Sequence, residues 1–288
     1  MLGLDKATIR KLSRIHSMKK VRFESTLYEM FHENTKFTPL KGRYYGALSA
    51  AFLSSKVCQR LAAMPFKQYS MMDKEELPPV ETAGQLDQVV TERRSVRRFS
   101  GEPATLSELA KLLHFTYGKT DPRGYFRPIA SGGGLYPLEI YITALNVEGL
   151  EPGLYHYNAE DHSLDAIRRG EVDLEEMERL VWLKDIEDME KASMILFVAA
   201  MLPRSTLKYG DRGYRLVLME AGGAVHNLGL LARSMGLGCC PMGGFLDNAL
   251  SEYLGIDGID EVPLVPMVFG RPATASPGSA NGDGTSDA

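Results

Sequence analysis

The chain has 288 residues, of which 44% are hydrophobic and 24% charged, and its formal net charge is −4. This length predicts one large or two small domains with a sizeable core, and the acidic balance argues against general binding to nucleic acid. The three cysteines, Cys58, Cys239 and Cys240, lack metal-ligand spacing, so we expect no metal site and a reducing, cytoplasmic setting.

The first part of the chain differs in charge from the rest. Residues 1–70 carry 13 Lys/Arg and 4 Asp/Glu, whereas the remainder carries 20 and 33. This pattern is typical of solvated helix faces, or of a docking surface for an acidic peptide or partner protein. The uncharged stretch Tyr44–Ser55 is well short of the ~20 residues that a membrane span needs, and the first residues lack the apolar run of a signal peptide. A basic transit peptide is an alternative.

Three regions are predicted along the chain. Residues 1–84 form a mainly helical N-terminal extension that ends near the tandem prolines of Leu77–Gly84. Residues 85–272 form the main domain. Residues 273–288 have no large apolar side chain and are predicted to be disordered.

Helical and strand patterns alternate within the main domain, which predicts an α/β or α+β fold with a mixed sheet. Thr105 and Glu108 form a capping-box pattern at the start of a helix. The predicted helices are Gln85–Thr91, Leu106–His114, Leu174–Leu183 and Tyr214–Met235. The predicted strands are Leu138–Leu145, Tyr155–Tyr157, the fully apolar Ser193–Ala200, and Val262–Phe269, which prolines interrupt.

Three motifs in this domain could bind a ligand. RRSVRRF at Arg93–Phe99 could hold an anion through its guanidinium groups and serine, or could be a solvated basic helix end. The glycines of IASGGGLYPLEIYI (Ile129–Ile142) and of GLGCCPMGGF (Gly236–Phe245) would let the backbone approach a ligand, or could be ordinary turns. Neither a P-loop nor a Rossmann fingerprint is present.

A fourth motif, KYGDRGYR at Lys208–Arg215, reads as a strand-to-helix turn. A lysine acts as a base only where burial or nearby positive charge favours its neutral form, and Arg212 and Arg215 are near enough to contribute. Lys208 and Tyr209 could share a proton if their side chains converge. On a regular strand they would point to opposite faces, so a turn is required.

Together, these motifs resemble the nitroreductase superfamily of flavoproteins over about 180 residues, from Gln85 to Arg271. SGGGLYPLEIYI, GLYHYN, KYGDRGYRLVLMEAGGAVHNL and GGF are similar to the SagB-type azoline dehydrogenases, as is the upstream TLYEMFHENTKFTP. Ala130 departs from the proline that many relatives carry before the serine. The resemblance implies an α+β, nitroreductase-like fold, with a mixed or antiparallel central sheet flanked by helices. It also implies a homodimer with FMN at the interface.

The resemblance also implies roles for individual residues. Lys208 and Tyr209 match a catalytic Lys-Tyr pair. The residues implied to bind FMN are Arg93, Arg94, Ser95 and Arg97 at the phosphate and ribityl end, then Ser131, Gly132 and Gly133, then Pro241, Met242, Gly243 and Gly244 at the ring, with Arg271 near the phosphate.

The implied reaction is the oxidation of a thiazoline or oxazoline in a ribosomally made peptide to the aromatic thiazole or oxazole. Flavin takes a hydride from one ring carbon, and Lys208 or Tyr209 takes a proton from its neighbour. A cyclodehydratase that makes the azoline is the implied partner. Two alternatives stay open: an NAD(P)H-dependent FMN nitroreductase or quinone reductase, which needs no Lys-Tyr pair, and a flavin-bearing scaffold subunit of a peptide-modifying complex.

Overall fold

The computed structural model describes residues 27–63, 66–67, 69–124, 126–183, 186 and 188–273. Residues 1–26 and the predicted tail after Ala273 lie outside the described residues. Between the described ends, helices and strands are intermixed along the chain, as the sequence pattern predicts.

The helices of the described residues vary widely in length. In chain order they are α1 (Leu27–Thr35), α2 (Pro39–Ser54), α3 (Lys56–Ala62), α4 (Gln85–Glu92), α5 (Leu106–Tyr117), α6 (Leu174–Leu180), α7 (Leu202–Tyr209), α8 (Asp211–Ser234) and α9 (Asp247–Leu254). The predicted capping box is present at α5, where Glu108 N donates to the Thr105 hydroxyl at 3.2 Å and Thr105 N donates to the Glu108 carboxylate at 2.8 Å.

The strands form one main sheet and a small separate pair. They are β1 (Ala104–Thr105), β2 (Leu138–Ala144), β3 (Val147–Glu148), β4 (Gly153–Asn158), β5 (Ser163–Arg169), β6 (Met194–Met201), β7 (Gly238–Pro241) and β8 (Glu261–Gly270). The main sheet is antiparallel, with strand order β5-β4-β2-β6-β8-β7, and β1 pairs with β3 in parallel. The predicted α+β class with an antiparallel central sheet is confirmed.

The last strand differs from its prediction. β8 is continuous through both of its prolines, whereas the sequence indicated an interrupted strand. The pairing of β6 with β8 shifts between Val198 and Ala199, whose partners are Val265 and Pro263, so a bulge absorbs the extra residue Leu264. Pro263 also lies beyond the span of β7, where β8 has a single neighbouring strand and one missing N–H is tolerated.

Helices cover both faces of the sheet, and two apolar clusters result. One cluster joins α5 and α8 to the first face, with Leu109, Leu113, Val217 and Leu228 almost fully buried. The other cluster includes α6 and α9 on the opposite face. Since β6 lies between the clusters, all eight of its residues are buried, which explains its unbroken apolar sequence.

Candidate functional site

Lys208 and Tyr209 lie at a junction between two helices. They are the last two residues of α7, and Gly210 alone separates them from α8, with φ 54° and ψ −142°. The predicted strand-to-helix turn is therefore wrong, because Leu202–Tyr209 has Pro203 in its first turn and closes at a glycine. The required convergence comes instead from the end of a helix.

The two side chains converge on the glycine loop that precedes β2. A Cβ added to Gly133 would overlap the Tyr209 hydroxyl, and would lie 3.0 Å from Lys208 Nζ and 3.2 Å from Tyr209 Cε2. Lys208 Nζ also lies 5.1 Å from the centre of the Tyr209 ring. An amine and a phenol thus face the backbone of the same glycine, in reach of one small ligand.

The conformation of this loop requires its glycines. Gly133 and Gly134 have φ of 71° and 66°, in the left-handed region that residues with a Cβ rarely adopt. Tyr136 adopts φ 45° despite its side chain, and its N–H donates to Ser131 Oγ at 2.9 Å. Gly132 packs on α8, where an added Cβ would lie 2.9 Å from Leu216.

A buried carboxylate on α8, that of Glu220, stabilises the segment that contains the glycine loop before β2. Glu220 accepts a hydrogen bond from the Tyr117 hydroxyl at 2.8 Å, and the Ser131 side chain lies nearby. Tyr117 in turn accepts a bond from Leu138 N at 2.8 Å. Burial raises the pKa of Glu220 and, together with the charge of Glu220, that of Tyr117. These bonds fix the end of the segment at Leu138 to α8.

Two arginines hold the same segment from its sides. The Arg127 guanidinium lies 4.3 Å from the Tyr117 ring centre and 4.9 Å from that of Tyr136. Arg204 on α7 donates to the Tyr136 carbonyl at 3.2 Å and pairs with Glu139 at 2.5 Å. Arg204 thereby connects the helix that carries Lys208 to the loop that it faces.

These supporting residues were not predicted from the sequence. Glu220 is a charged residue inside an otherwise apolar helical stretch, and this was the one available signal, because a buried carboxylate needs a partner. Nothing in the local sequence of Tyr117, Arg127 or Arg204 indicates their contacts, which join distant segments.

The predicted anion-binding residues lie elsewhere, beside β7. Ser95 forms a parallel bridge with Cys239, and Val96 N donates to the Cys239 carbonyl at 2.9 Å. Gly238 allows this approach, since its Cβ would lie 2.6 Å from Val96. Arg94 and Arg97 are exposed, and Arg94 also donates to its neighbouring backbone carbonyls. The segment thus presents its basic side chains at the edge of the sheet.

The contacts of Arg271 and Arg93 indicate that these two side chains stabilise the packing around α8. Arg271 donates to both carboxylate oxygens of Glu108, at 2.8 and 3.0 Å, and to the Met235 carbonyl at 3.3 Å. Its guanidinium therefore joins α5 to the end of α8. Arg93 packs on α8, with its Cδ 3.4 Å from the position of a Cβ on Gly229.

The residues predicted to contact the flavin ring lie at the end of β7 and directly after it. Pro241 and Gly243 are exposed, while Met242 is buried and its N–H donates to the Pro266 carbonyl at 2.8 Å. Gly244 packs against Trp182, since its Cβ would lie 2.5 Å from the indole, and its carbonyl accepts from Trp182 N at 2.9 Å. Nothing lies within 4 Å of the position of a Cβ on Gly243, which leaves space for a flat ring.

The structure therefore gathers the predicted residues into two groups along α8. The Gly132 loop touches Leu216, and Arg93 touches Gly229, 13 residues further on. At about 1.5 Å per helical residue, these points are about 20 Å apart along the helix. We name the Ser131–Gly133, Lys208 and Tyr209 group the catalytic-pair group, and the Arg93–Arg97 and Pro241–Gly244 group the basic group.

Among the residues that the structure describes, no set of three His, Cys, Asp or Glu side chains is arranged to hold a metal ion. In the same residues, no helix is long and apolar enough to cross a membrane.

Comparison with known proteins gives a consistent result. The family model described as Nitroreductase family matches residues 90–271. The chain is 42% identical, over 68% of its length, to the nitroreductase-like protein MJ1384 of Methanocaldococcus jannaschii, of which it covers 95%. It is 29% identical over 58% of its length to the microcin B17-processing protein McbC of Escherichia coli, and it spans 62% of that relative.

A solved structure extends the likeness beyond the family domain. A chain of the E. coli microcin synthetase complex McbBCD, determined with truncated pro-MccB17 bound, superposes with a TM-score of 0.59 at 20% identity. The match covers 95% of this chain and 99% of that one, so the two share a fold.

Proposed function

Because the chain belongs to the nitroreductase family, we propose that it is an FMN-dependent oxidoreductase that converts azolines in a ribosomally made peptide to azoles. The observation that carries this proposal is the convergence of Lys208 and Tyr209 on Gly133. A reductase that only passes hydride between two soluble substrates does not need such a pair, whereas desaturation of a ring needs a proton acceptor. The similarity to a microcin-processing protein supports a peptide substrate.

The basic group fits a flavin mononucleotide. Arg94, Ser95 and Arg97 offer exposed guanidinium and hydroxyl donors of the kind that bind a phosphate, and Arg93 lies beside them. Pro241–Gly244 offers an exposed backbone with space beside Gly243 for the ring system. When bound, FMN supplies the acceptor for the hydride that leaves one ring carbon of the azoline.

Lys208 and Tyr209 supply the second half of the oxidation. Removal of hydride from one carbon and of a proton from its neighbour forms the double bond, so one of the two side chains takes the proton. Both are within reach of a ring held over Gly133.

A homodimer would complete the site, because the two groups are about 20 Å apart along α8 in one chain. The exposed stripe of α8 suits such an interface, since it presents Leu218, Met219, Gly222, Gly223 and His226 at helical spacing. No atom lies within 4 Å of the Cβ positions of the two glycines, so a second helix could approach closely. The catalytic-pair group of one copy would then face the basic group of the other, and would bury Lys208, which is exposed in one chain.

The partners and domains follow from the same proposal. A cyclodehydratase would supply the azoline in the cytoplasm, and residues 1–84 would form an extension on the FMN domain of residues 85–272. The exposed apolar side chains of α2, including Leu40, Leu48 and Phe52, support a docking role for this extension.

The test uses the purified full-length protein and a synthetic azoline peptide. Bound flavin is measured by absorbance, and oxidation is measured by mass spectrometry as the loss of two hydrogens per ring. We expect Lys208→Ala and Tyr209→Phe to keep their flavin but lose at least about 10²-fold in turnover, the usual scale of general-base catalysis. Lys111→Ala, at an exposed lysine of α5, is the control and should retain full activity. Undiminished oxidation by both variants would disprove the assignment.

The second candidate is a general NAD(P)H-dependent nitroreductase. It is favoured by the identity of 42% to MJ1384, which exceeds the identity to McbC. Steady-state turnover of a nitroaromatic with NADPH, unaffected by Lys208→Ala, would support this function over azoline oxidation.

A further inference from the structure

A segment far from the catalytic pair in sequence lies against the helix junction that carries the pair. We call residues 27–38, which comprise α1 and the three residues after it, the strap. Tyr28 N donates to Asp211 Oδ1 at 3.1 Å, in the first turn of α8. The Tyr28 ring stacks on Tyr214, with centres 5.7 Å apart and planes 20° apart, and its hydroxyl lies 3.5 Å from Thr206 Oγ1 on α7. Tyr28 therefore touches both helices that meet at Gly210.

His32 makes the second contact with this junction. Its Nδ1 lies 3.1 Å from the Tyr214 hydroxyl, and both residues are buried. Burial, with the nearby charge of Lys36, lowers the pKa of His32, which favours the neutral ring. A buried, neutral pair of this kind holds one geometry, because breaking it would leave two polar groups unsatisfied.

The far end of the strap is anchored independently. The buried Lys36 donates to the Gly258 carbonyl at 2.7 Å, and Phe37 N donates to Asp247 Oδ2 at 2.7 Å. The Phe37 ring also lies 5.0 Å from Trp182, the residue that packs on Gly244. The strap is thus fixed to the main domain at both ends rather than lying loosely on it.

The junction needs such support because Gly210 has no side chain to fix its angle. The close approach of Gly213 to the Ser205 carbonyl limits how far α7 and α8 can separate, while Gly210 itself, as a glycine, can adopt a wide range of backbone angles. A rotation there moves Lys208 and Tyr209 relative to Gly133. Tyr28 opposes it by contacts on both sides of the glycine, and His32 holds Tyr214 on the α8 side.

We propose that Tyr28 and His32 are positioning residues, which hold the α7–α8 junction so that Lys208 and Tyr209 face Gly133. This inference rests on the proposed function for its effect on turnover, but not for its effect on the junction itself. It assigns a role in the reaction to a segment outside the residues matched by the family model.

Hydrogen exchange of the full-length protein tests the proposal without any substrate. Tyr214→Phe removes the hydroxyl that His32 binds. Tyr253→Phe is the matched control, because it removes another buried hydroxyl, 3.0 Å from Thr143 Oγ1, on the opposite face of the sheet. We expect amide exchange in residues 205–213 to rise about tenfold in Tyr214→Phe and to stay unchanged in Tyr253→Phe, as for loss of one buried bond. Equal exchange in both variants would overturn the proposal.

Two substitutions at His32 provide a second readout, which also tests the proposal if the Tyr214→Phe protein fails to fold. Asparagine at position 32 can place a polar atom near the position that His32 Nδ1 occupies, whereas leucine has no polar side-chain atom. We expect His32→Leu to raise exchange at 205–213 and lower kcat about tenfold with KM unchanged, and His32→Asn to restore most of both. Equal behaviour of the two variants would refute a positioning role. If the wild type oxidises no azoline, the proposed function fails, and the exchange data still decide this inference.

Discussion

Gly133 offers the sharpest test of the catalytic-pair group. Alanine at this position introduces one methyl group where the Tyr209 hydroxyl and Lys208 Nζ now lie. Gly134 is the matched control, because it has nearly the same φ, 66° against 71°, and nothing within 4 Å of its Cβ position. The two substitutions share their backbone strain and differ in the collision.

The expected magnitudes follow from that geometry. Each alanine should lower the free energy of unfolding by about 1–2 kcal/mol, the usual cost of a left-handed residue with a Cβ. In Gly133→Ala, the Tyr209 hydroxyl must also move by about 1 Å to reach ordinary van der Waals separation. A displacement of that size in a catalytic group lowers turnover by about 10²-fold.

The assay combines denaturation with turnover of the azoline peptide. Both variants should unfold at similarly reduced denaturant concentrations and bind flavin, while Gly133→Ala alone should lose most of its kcat. A Gly133→Ala enzyme within threefold of wild type, or a Gly134→Ala enzyme equally impaired, would refute the assignment of Lys208 and Tyr209.

Three further predictions concern other parts of the chain. Gly238→Ala should force Val96 away from β7 and lower the flavin content of the purified protein, since its Cβ would lie 2.6 Å from that side chain; full flavin occupancy would contradict this. Burial raises the pKa of Glu261 from 4.5 to about 7. Between these pH values the folded state therefore keeps a proton that the unfolded chain has lost. The free energy of unfolding of the wild type should fall by up to about 3 kcal/mol from pH 4.5 to 7, relative to that of Glu261→Gln. Urea denaturation across that range measures the difference, and parallel pH profiles would exclude it. Burial also raises the pKa of Cys239 to about 12, so iodoacetamide at pH 8 should alkylate the partly exposed Cys58 first; equal rates at the two thiols would contradict this.

The sequence was informative where local pattern and burial agree. The unbroken apolar run of β6 and the capping box of α5 were predictable, because each reports a local physical requirement. α5 continues past its predicted end at His114 because Thr116 and Tyr117 are buried against the core, and Gly118 ends it. The strand β5 and the helix α9 were not predicted. Most of β5 is exposed at the sheet edge and has no apolar alternation.

The motifs of the candidate site are visible in the sequence, but their arrangement in space is not. The glycine, arginine and Lys-Tyr motifs can be read from the sequence. Their separation into two groups depends on which turn of α8 each segment packs against. The strap contacts are equally invisible, since Tyr28 and Asp211 are 183 residues apart in sequence. Such pairs come together only through tertiary packing, so no local sequence pattern indicates their contact.

That sequence separation has a consequence for how the protein folds during synthesis. The strap leaves the ribosome well before its docking sites at Asp211, Asp247 and Gly258 are made. Closing a loop of this length is entropically costly, so the strap docks late, after the sheet has formed. Until then, α1 and the apolar α2 are exposed on a growing chain, where chaperones would bind first. The catalytic pair would reach its working geometry as one of the last events of folding.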